Sequence, residues 1–241
     1  MKFYGETDVG MVRSNNQDAF KNTVLAKDTV LSVVCDGMGG ANAGNVASKM
    51  ACEIITDIII NSYSPNLTSM SVENLLKTAI SSANIEIFSN ANKVEDYKGM
   101  GTTVVAALIQ NGTAFIAHVG DSRAYLVKSD GITQITRDHS VIQDLIESGH
   151  LTVEEARNHP KKNVITRAVG TLEDVVADFD ELKIGDGVIL LCTDGLNNML
   201  TDEEILQIFS QNDLENTANS LIKSANEKNS TDNITVTLIA L

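Results

Sequence analysis

Val30-Leu31-Ser32-Val33-Val34-Cys35-Asp36-Gly37-Met38-Gly39-Gly40 is an apolar run that ends on a carboxylate and a cluster of glycines. Its valine-rich start, bounded by turn residues, predicts a strand. A second run, Val188-Ile189-Leu190-Leu191-Cys192, leads in the same way into Thr193-Asp194-Gly195. Asn16-Gln17-Asp18 and Thr231-Asp232-Asn233 complete a set of four short acidic motifs, each read as standing where a strand ends. A single Asp-Gly is commonly only a turn. Its repetition after two equally apolar strands is what makes the pattern specific. Carboxylates gathered at strand ends repel one another unless a cation lies between them. An all-oxygen cage of that kind suits a hard divalent ion, manganese or magnesium.

Outward from these runs, strand signals lie at residues 3–7, 18–23 and 29–35. A helix is predicted over 44–61, with Val46, Met50, Ile54 and Ile58 at helical spacing, and a second over 71–93. The middle reads as a β meander: 102–110 and 113–119 flank Asn111-Gly112, where both positions tolerate positive φ, and 122–128 turns at Ser129-Asp130-Gly131 into 132–135. Residues 139–167 are short, polar and helical. Strands resume at 175–182 and 188–192, joined through Gly185-Asp186-Gly187, and helices at 201–210 and 214–225 precede a last strand, 234–240. Strands and helices in separate blocks predict an α+β fold: a four-layer α-β-β-α sandwich, two antiparallel sheets packed face to face and flanked by helices.

A net charge of −14 argues against nucleic acid or an anionic membrane as the main partner. The longest apolar helix candidate, 51–60, is interrupted by Glu53 and Asp57, so no membrane insertion is expected. Lys2 precedes a mixed segment, so no signal peptide is expected. Cys35, Cys52 and Cys192 form no CxxC pair and read as buried small hydrophobes, which points to a reducing cytoplasm. With two prolines and no linker-like stretch, 1–241 reads as one domain.

Other residues qualify as site candidates. Gly120-Asp121-Ser122-Arg123 follows an apolar strand; alone it reads as a hairpin turn, and beside a metal cluster Asp121 becomes a candidate ligand for another ion. Arg123 reads as the partner of a structural carboxylate. Arg13, five positions before Asp18, offers a guanidinium able to bind phosphate through two parallel hydrogen bonds. The glycines after Asp36 lack the Lys-Ser/Thr of a phosphate-binding loop and read instead as a sharp bend that lets the Gly37 carbonyl face a metal. Thr152…Glu155 and Thr201…Glu204 read as capping boxes. The four histidines show no metal-binding spacing, so zinc is not expected.

Taken together, these motifs resemble a bacterial member of the metal-dependent, type-2C protein serine/threonine phosphatases. The likeness runs from Gly5-Glu6-Thr7-Asp8-Val9-Gly10 and Arg13…Asp18 through Asp36-Gly37-Met38-Gly39-Gly40, Gly99-Met100-Gly101-Thr102-Thr103 and Gly120-Asp121-Ser122-Arg123 to Asp194-Gly195 and Asp232-Asn233, nearly the whole chain in order. The resemblance implies two manganese or magnesium ions bridged by Asp36. Asp194 and Asp232 would complete the first, the Gly37 carbonyl would serve the second, and Asp18 would act through bound waters. It further implies a third ion at Asp121 with Asp194, phosphate binding by Arg13, and a flap over about 139–167. Phosphoserine and phosphothreonine would be hydrolysed by direct attack of a water held between the metals. The expected partners are phosphorylated proteins, including a serine/threonine kinase, and the protein is expected to act as a cytoplasmic monomer.

This chain departs from the pattern in two places. Met38 stands where members outside bacteria often carry histidine, and Ala41 and Asn45 stand where bacterial relatives commonly carry histidine and glutamate. A metal-bound water is therefore the expected proton donor to the leaving alkoxide, with His118 and His139 as the alternatives. Two further readings are a binding module that has lost catalysis, and a phosphatase dedicated to one regulator.

Overall fold

The computed structural model describes residues 1–40, 43–157 and 159–241. The chain runs β1 (Lys2–Asp8), β2 (Asp18–Ala26), β3 (Thr29–Met38), α1 (Ala43–Ser62), α2 (Ser69–Lys93), β4 (Gly101–Thr102), β5 (Val104–Gln110), β6 (Thr113–Val119), β7 (Arg123–Lys128) and β8 (Gly131–Gln134). It continues through α3 (Val141–Glu147), α4 (Val153–Arg157), β9 (Asp178–Lys183), β10 (Val188–Cys192), α5 (Asp194–Asn197), α6 (Asp202–Gln211), α7 (Leu214–Glu227) and β11 (Ile234–Ala240). Two antiparallel sheets result, ordered β1-β11-β10-β7-β8 and β2-β3-β5-β6-β9, with β4 paired to the end of β3.

Alternation along each strand divides the apolar residues between cores, since successive side chains point to opposite faces. On β3, Leu31, Val33 and Cys35 face α1 and α2, while Val34 faces the other sheet. On β10 and β11, Leu190, Cys192, Val236 and Leu238 pack under α7, while Ile189, Leu191 and Ile239 point inward. The inter-sheet core is closed by Val105, Ala107, Ile109 and Ile116, and Ser32 Oγ lies 2.7 Å from Thr237 Oγ1 across it. The layers are therefore helix, sheet, sheet, helix, as the pattern predicts. All three cysteines are buried and free. Both predicted capping boxes form, at Thr152–Glu155 and Thr201–Glu204.

Three local expectations change. The predicted meander is split: β5 and β6 pair in one sheet through Asn111 (φ 50°) and Gly112 (φ 76°), whereas β7 and β8 pair in the other. Gly120-Asp121-Ser122 is thus a crossing between sheets, not a hairpin turn, and β9 and β10 likewise belong to different sheets. Alternation alone cannot say which sheet a strand joins, because both sheets are buried on both faces. Second, β3 runs on through Asp36 and Gly37 to Met38, because β4 supplies two more ladder partners. Third, a four-residue helix, α5, begins at Asp194, too short to show a period.

Candidate metal centre

Strand register gathers the predicted carboxylates at one end of the sandwich. Asp18 begins β2 and sits opposite Asp36 of β3, their Cα atoms paired across the ladder. Asp194 follows the end of β10, and Asp232 precedes β11, its neighbour in the sheet. The motifs therefore mark strand starts as well as strand ends; what they share is the edge of the sandwich they occupy.

Hydroxyl and amide side chains fix these acids from behind. Thr193 Oγ1 and Thr235 Oγ1 both donate to Asp18 Oδ2, at 2.9 and 2.7 Å. Asn198 Nδ2 donates to Asp194 Oδ2 at 3.0 Å. Asn233 Nδ2 donates to the carbonyls of Val9 and Asn15, and its Oδ1 accepts from the Gln17 amide, pinning the loop that carries Arg13. Thr103 Oγ1 accepts from the Asp36 amide at 3.0 Å and lies 2.6 Å from Ser122 Oγ, which ties the Asp121 crossing to the Asp36 strand. The roles of Thr193, Thr235, Thr103 and Ser122 escaped the sequence reading. Their only signal is a hydroxyl residue flanking an acidic motif, which also describes an ordinary turn.

Electrostatics shows what the arrangement lacks without a cation. Burial, followed by repulsion from Asp18, Asp194, Asp121 and Asp232, pushes Asp36 well above the ordinary carboxylate range. Burial likewise lifts Asp18 to about 7, Asp194 to about 6 and Asp121 to about 8, with neighbouring carboxylates adding to each shift. Asp18 Oδ1 and Asp194 Oδ1 are buried with no hydrogen-bond partner. A buried carboxylate oxygen without a donor is costly. Two of them among mutually repelling acids, with hard oxygen donors throughout, fit divalent manganese or magnesium.

The remaining predicted residues fall in or beside this group. Arg13, half exposed, places Nη2 2.8 Å from Asp232 Oδ2, and that hydrogen bond raises its own pKa further. Gly37 donates its amide to the Gln17 carbonyl, and α1 packs so tightly on it that a Cβ would lie 2.1 Å from the Gly44 oxygen. Only glycine fits there. Asp121 is nearly buried, and Arg123 forms a bidentate pair with Asp138. Ala41 lies outside the described residues, and Asn45 Oδ1 is buried without a partner.

His118 and His139, the alternative proton donors, are placed elsewhere. Both are 1% exposed and stack at 4.6 Å beneath the Asp121 crossing. Burial and the adjacent His118 push His139 down to about 4, so it is neutral at pH 7. With Asp178 the pair brings three possible ligand atoms within 4.8 Å of one another, a cluster the sequence spacing does not show. An ion must lie in the plane of each imidazole that binds it, and two rings only 17° from parallel do not share such a point. In addition, His139 Nδ1 accepts from the Gly120 amide, which leaves the proton on Nε2, the atom that would have to bind. The rings are held by backbone hydrogen bonds at His118 Nε2 and His139 Nδ1, while His118 Nδ1 and His139 Nε2 are buried without a hydrogen-bond partner; the stacked geometry makes the cluster a packing support rather than a metal site.

Comparison with known proteins shows the family. The family described as protein phosphatase 2C matches residues 12–234. The serine/threonine phosphatase stp of Listeria innocua is 39% identical over 239 residues, 97% of this chain and 93% of the relative. The crystal structure of the serine/threonine phosphatase Stp1 from Staphylococcus aureus superposes with a TM-score of 0.94 at 36% identity, covering 100% of this chain and 94% of that one. The catalytic domain of the phosphatase PstP, solved in complex with two manganese ions, superposes at 0.84 with 29% identity, covering 98% and 96%. The chain belongs to the protein phosphatase 2C family.

Proposed function

We propose that the protein is a metal-dependent serine/threonine phosphatase that removes phosphate from phosphorylated proteins. The observation that carries the proposal is the pair of orphaned oxygens on Asp18 and Asp194 within a buried group of repelling carboxylates. Related proteins are named serine/threonine phosphatases, and one holds two manganese ions.

In this reading Asp36, Asp194, Asp232 and the Gly37 carbonyl would hold the ions of the core site, and Asp18 would act on them at one remove through water. Asp121, together with Asp194, would hold a third ion. When bound, manganese or magnesium lowers the pKa of water from about 15.7 towards neutrality and offsets phosphoryl charge. Thr193 and Thr235 hold Asp18 in one orientation, and the crowded glycine at 37 keeps its backbone beside Asp36. Arg13 leaves Asp232 to hold the phosphoryl oxygens of the substrate. Because His118 and His139 are buried and held by backbone groups, the proton for the departing alkoxide comes from water.

We extend the proposal to the setting. Residues 1–241 act as one catalytic domain, a cytoplasmic monomer with a flap over about 139–167, and the substrates include a serine/threonine kinase. No helix among the described residues is long and apolar enough to cross a membrane.

Phosphate release from a phosphothreonine peptide, set beside binding of the same peptide, tests the reading. Turnover is the expected result; tight binding without turnover would favour the non-catalytic module. Arg13→Ala is expected mainly to raise KM for that peptide, since the contact exists before the transition state. Arg13→Lys should recover only part of the loss, because a point charge cannot make the two-pronged contact. An unchanged KM in Arg13→Ala would return the residue to a surface role.

A further inference from the structure

We infer that His139 is a positioning residue that holds the Gly120–Asp121 crossing against the metal centre, with Asp178 and Arg167 securing it from the other side. The inference rests on Asp121 serving an ion, as proposed above.

The geometry is a reciprocal clamp. The Gly120 amide donates to His139 Nδ1 at 3.0 Å, and the His139 amide donates to the Gly120 carbonyl at 2.9 Å. Gly120 has φ +106°, a conformation open to glycine, and a Cβ there would lie 2.6 Å from Thr103 Cγ2. The crossing therefore has no side chain of its own at residue 120 with which to anchor itself. Its backbone is held by His139 on one side and by the Ser122–Thr103 hydroxyl pair on the other.

His139 is itself held. Its Nε2 lies 3.2 Å from Asp178 Oδ2, and Arg167 Nη1 donates to Asp178 Oδ1 at 2.7 Å. The His118 ring stacks on it, anchored by Nε2–H to the Arg137 carbonyl at 2.8 Å. Its carbonyl accepts from the Thr166 amide at 2.8 Å. His139 and Arg167 are the two roots of the segment 139–167, and both reach the same carboxylate on β9. The contacts thus run from the flap roots through one imidazole to the residue beside Asp121: His139 Nε2 meets Asp178 by close electrostatic approach and has no hydrogen-bond partner, whereas Nδ1 is hydrogen-bonded to Gly120. Supporting groups of this kind typically alter metal affinity by roughly 10–100-fold when removed.

Two substitutions of similar polarity separate the clamp from general packing. Asn at 139 puts a carbonyl oxygen near the position of Nδ1 and can still accept from Gly120; Gln puts its polar end near Nε2, towards Asp178, and cannot. Electron paramagnetic resonance of free manganese(II), titrated into metal-free protein, counts bound ions and ranks their affinities without any turnover. Melting temperature is followed in parallel. His139→Gln is expected to weaken the weakest ion by roughly 10–100-fold, while His139→Asn keeps most of its affinity and the two tighter ions are unchanged in both. Wild-type binding in both variants, equal losses in both, or a loss confined to His139→Asn would each overturn the inference. Asp121→Asn, run beside them, should remove the weakest ion altogether. If Asp121→Asn bound every ion normally, the ligand role of Asp121 would fall and the inference with it. If Asp121→Asn lost the ion and His139→Gln did not, only the clamp would fall.

Discussion

Asp36→Asn is expected to lower phosphothreonine hydrolysis by on the order of 10³-fold or more at saturating manganese, because the carboxylate proposed to serve both ions would supply several kcal/mol of charge stabilisation through them. The same change is expected to raise the melting temperature of the metal-free protein. Asp36 is partly buried among four other carboxylates that all disfavour its charge, and Asn keeps the shape while removing that charge. Loss of activity with gain of stability is the signature of a group placed for function against its own folding energetics. Steady-state kinetics and calorimetry of the metal-free variant check the two halves. Near wild-type turnover would remove Asp36 from the centre, and a lower metal-free melting temperature would show that its charge is not opposed there.

Manganese should stabilise the fold strongly, and the effect should depend on pH in a defined direction. An ion present at a hundred times its dissociation constant adds about 2.7 kcal/mol, which for a domain of this size raises the melting temperature by roughly 5–11 °C per ion. In the metal-free protein Asp194, Asp18 and Asp121 sit at about 6, 7 and 8, above the unfolded range near 4. Between those limits the folded state holds more protons than the unfolded one, so metal-free stability rises as pH falls from 8 towards 5. Ions need the ionised carboxylates, so the manganese increment is largest at pH 8 and shrinks on acidification as protons compete. Scanning calorimetry at pH 8 and pH 5.5, with and without manganese, measures both. A metal-free protein that melts higher at pH 8, or an increment that grows with acid, would show that these acids are not the ion's ligands.

How much of this is legible in sequence follows from which forces are local. The runs ending at Cys35 and Cys192 announce strands because apolar β-branched residues need a covered sheet, and Asn111-Gly112 announces its hairpin because both positions take positive φ. The membership of β7 and β9 in one sheet or the other is set by packing over the whole sandwich, and no local pattern carries it. Asp18, Asp36, Asp194 and Asp232 are legible as a set because repeated acids beside apolar strands have few structural uses. That Asp18 begins its strand and Asp36 lies within one shows that the motif marks an edge of the fold rather than a strand end. The threonines behind Asp18 stay hidden because Thr193 and Thr235 act across the β10–β11 ladder on a residue more than 170 positions away. His118 and His139, 21 positions apart, meet only through tertiary contact, and their stacked geometry, invisible in the sequence, is what makes them a support rather than a zinc site.

We propose that the carboxylate group acts as a manganese or magnesium centre for phosphate-ester hydrolysis. Its most direct test is phosphate release from a phosphothreonine peptide by exhaustively metal-stripped protein, followed while manganese is titrated back. No turnover is expected before manganese is added, then a rise that tracks occupancy of the two tighter sites, the same behaviour with magnesium, and none with zinc. Sustained turnover by the stripped protein, or full occupancy without turnover, would contradict it.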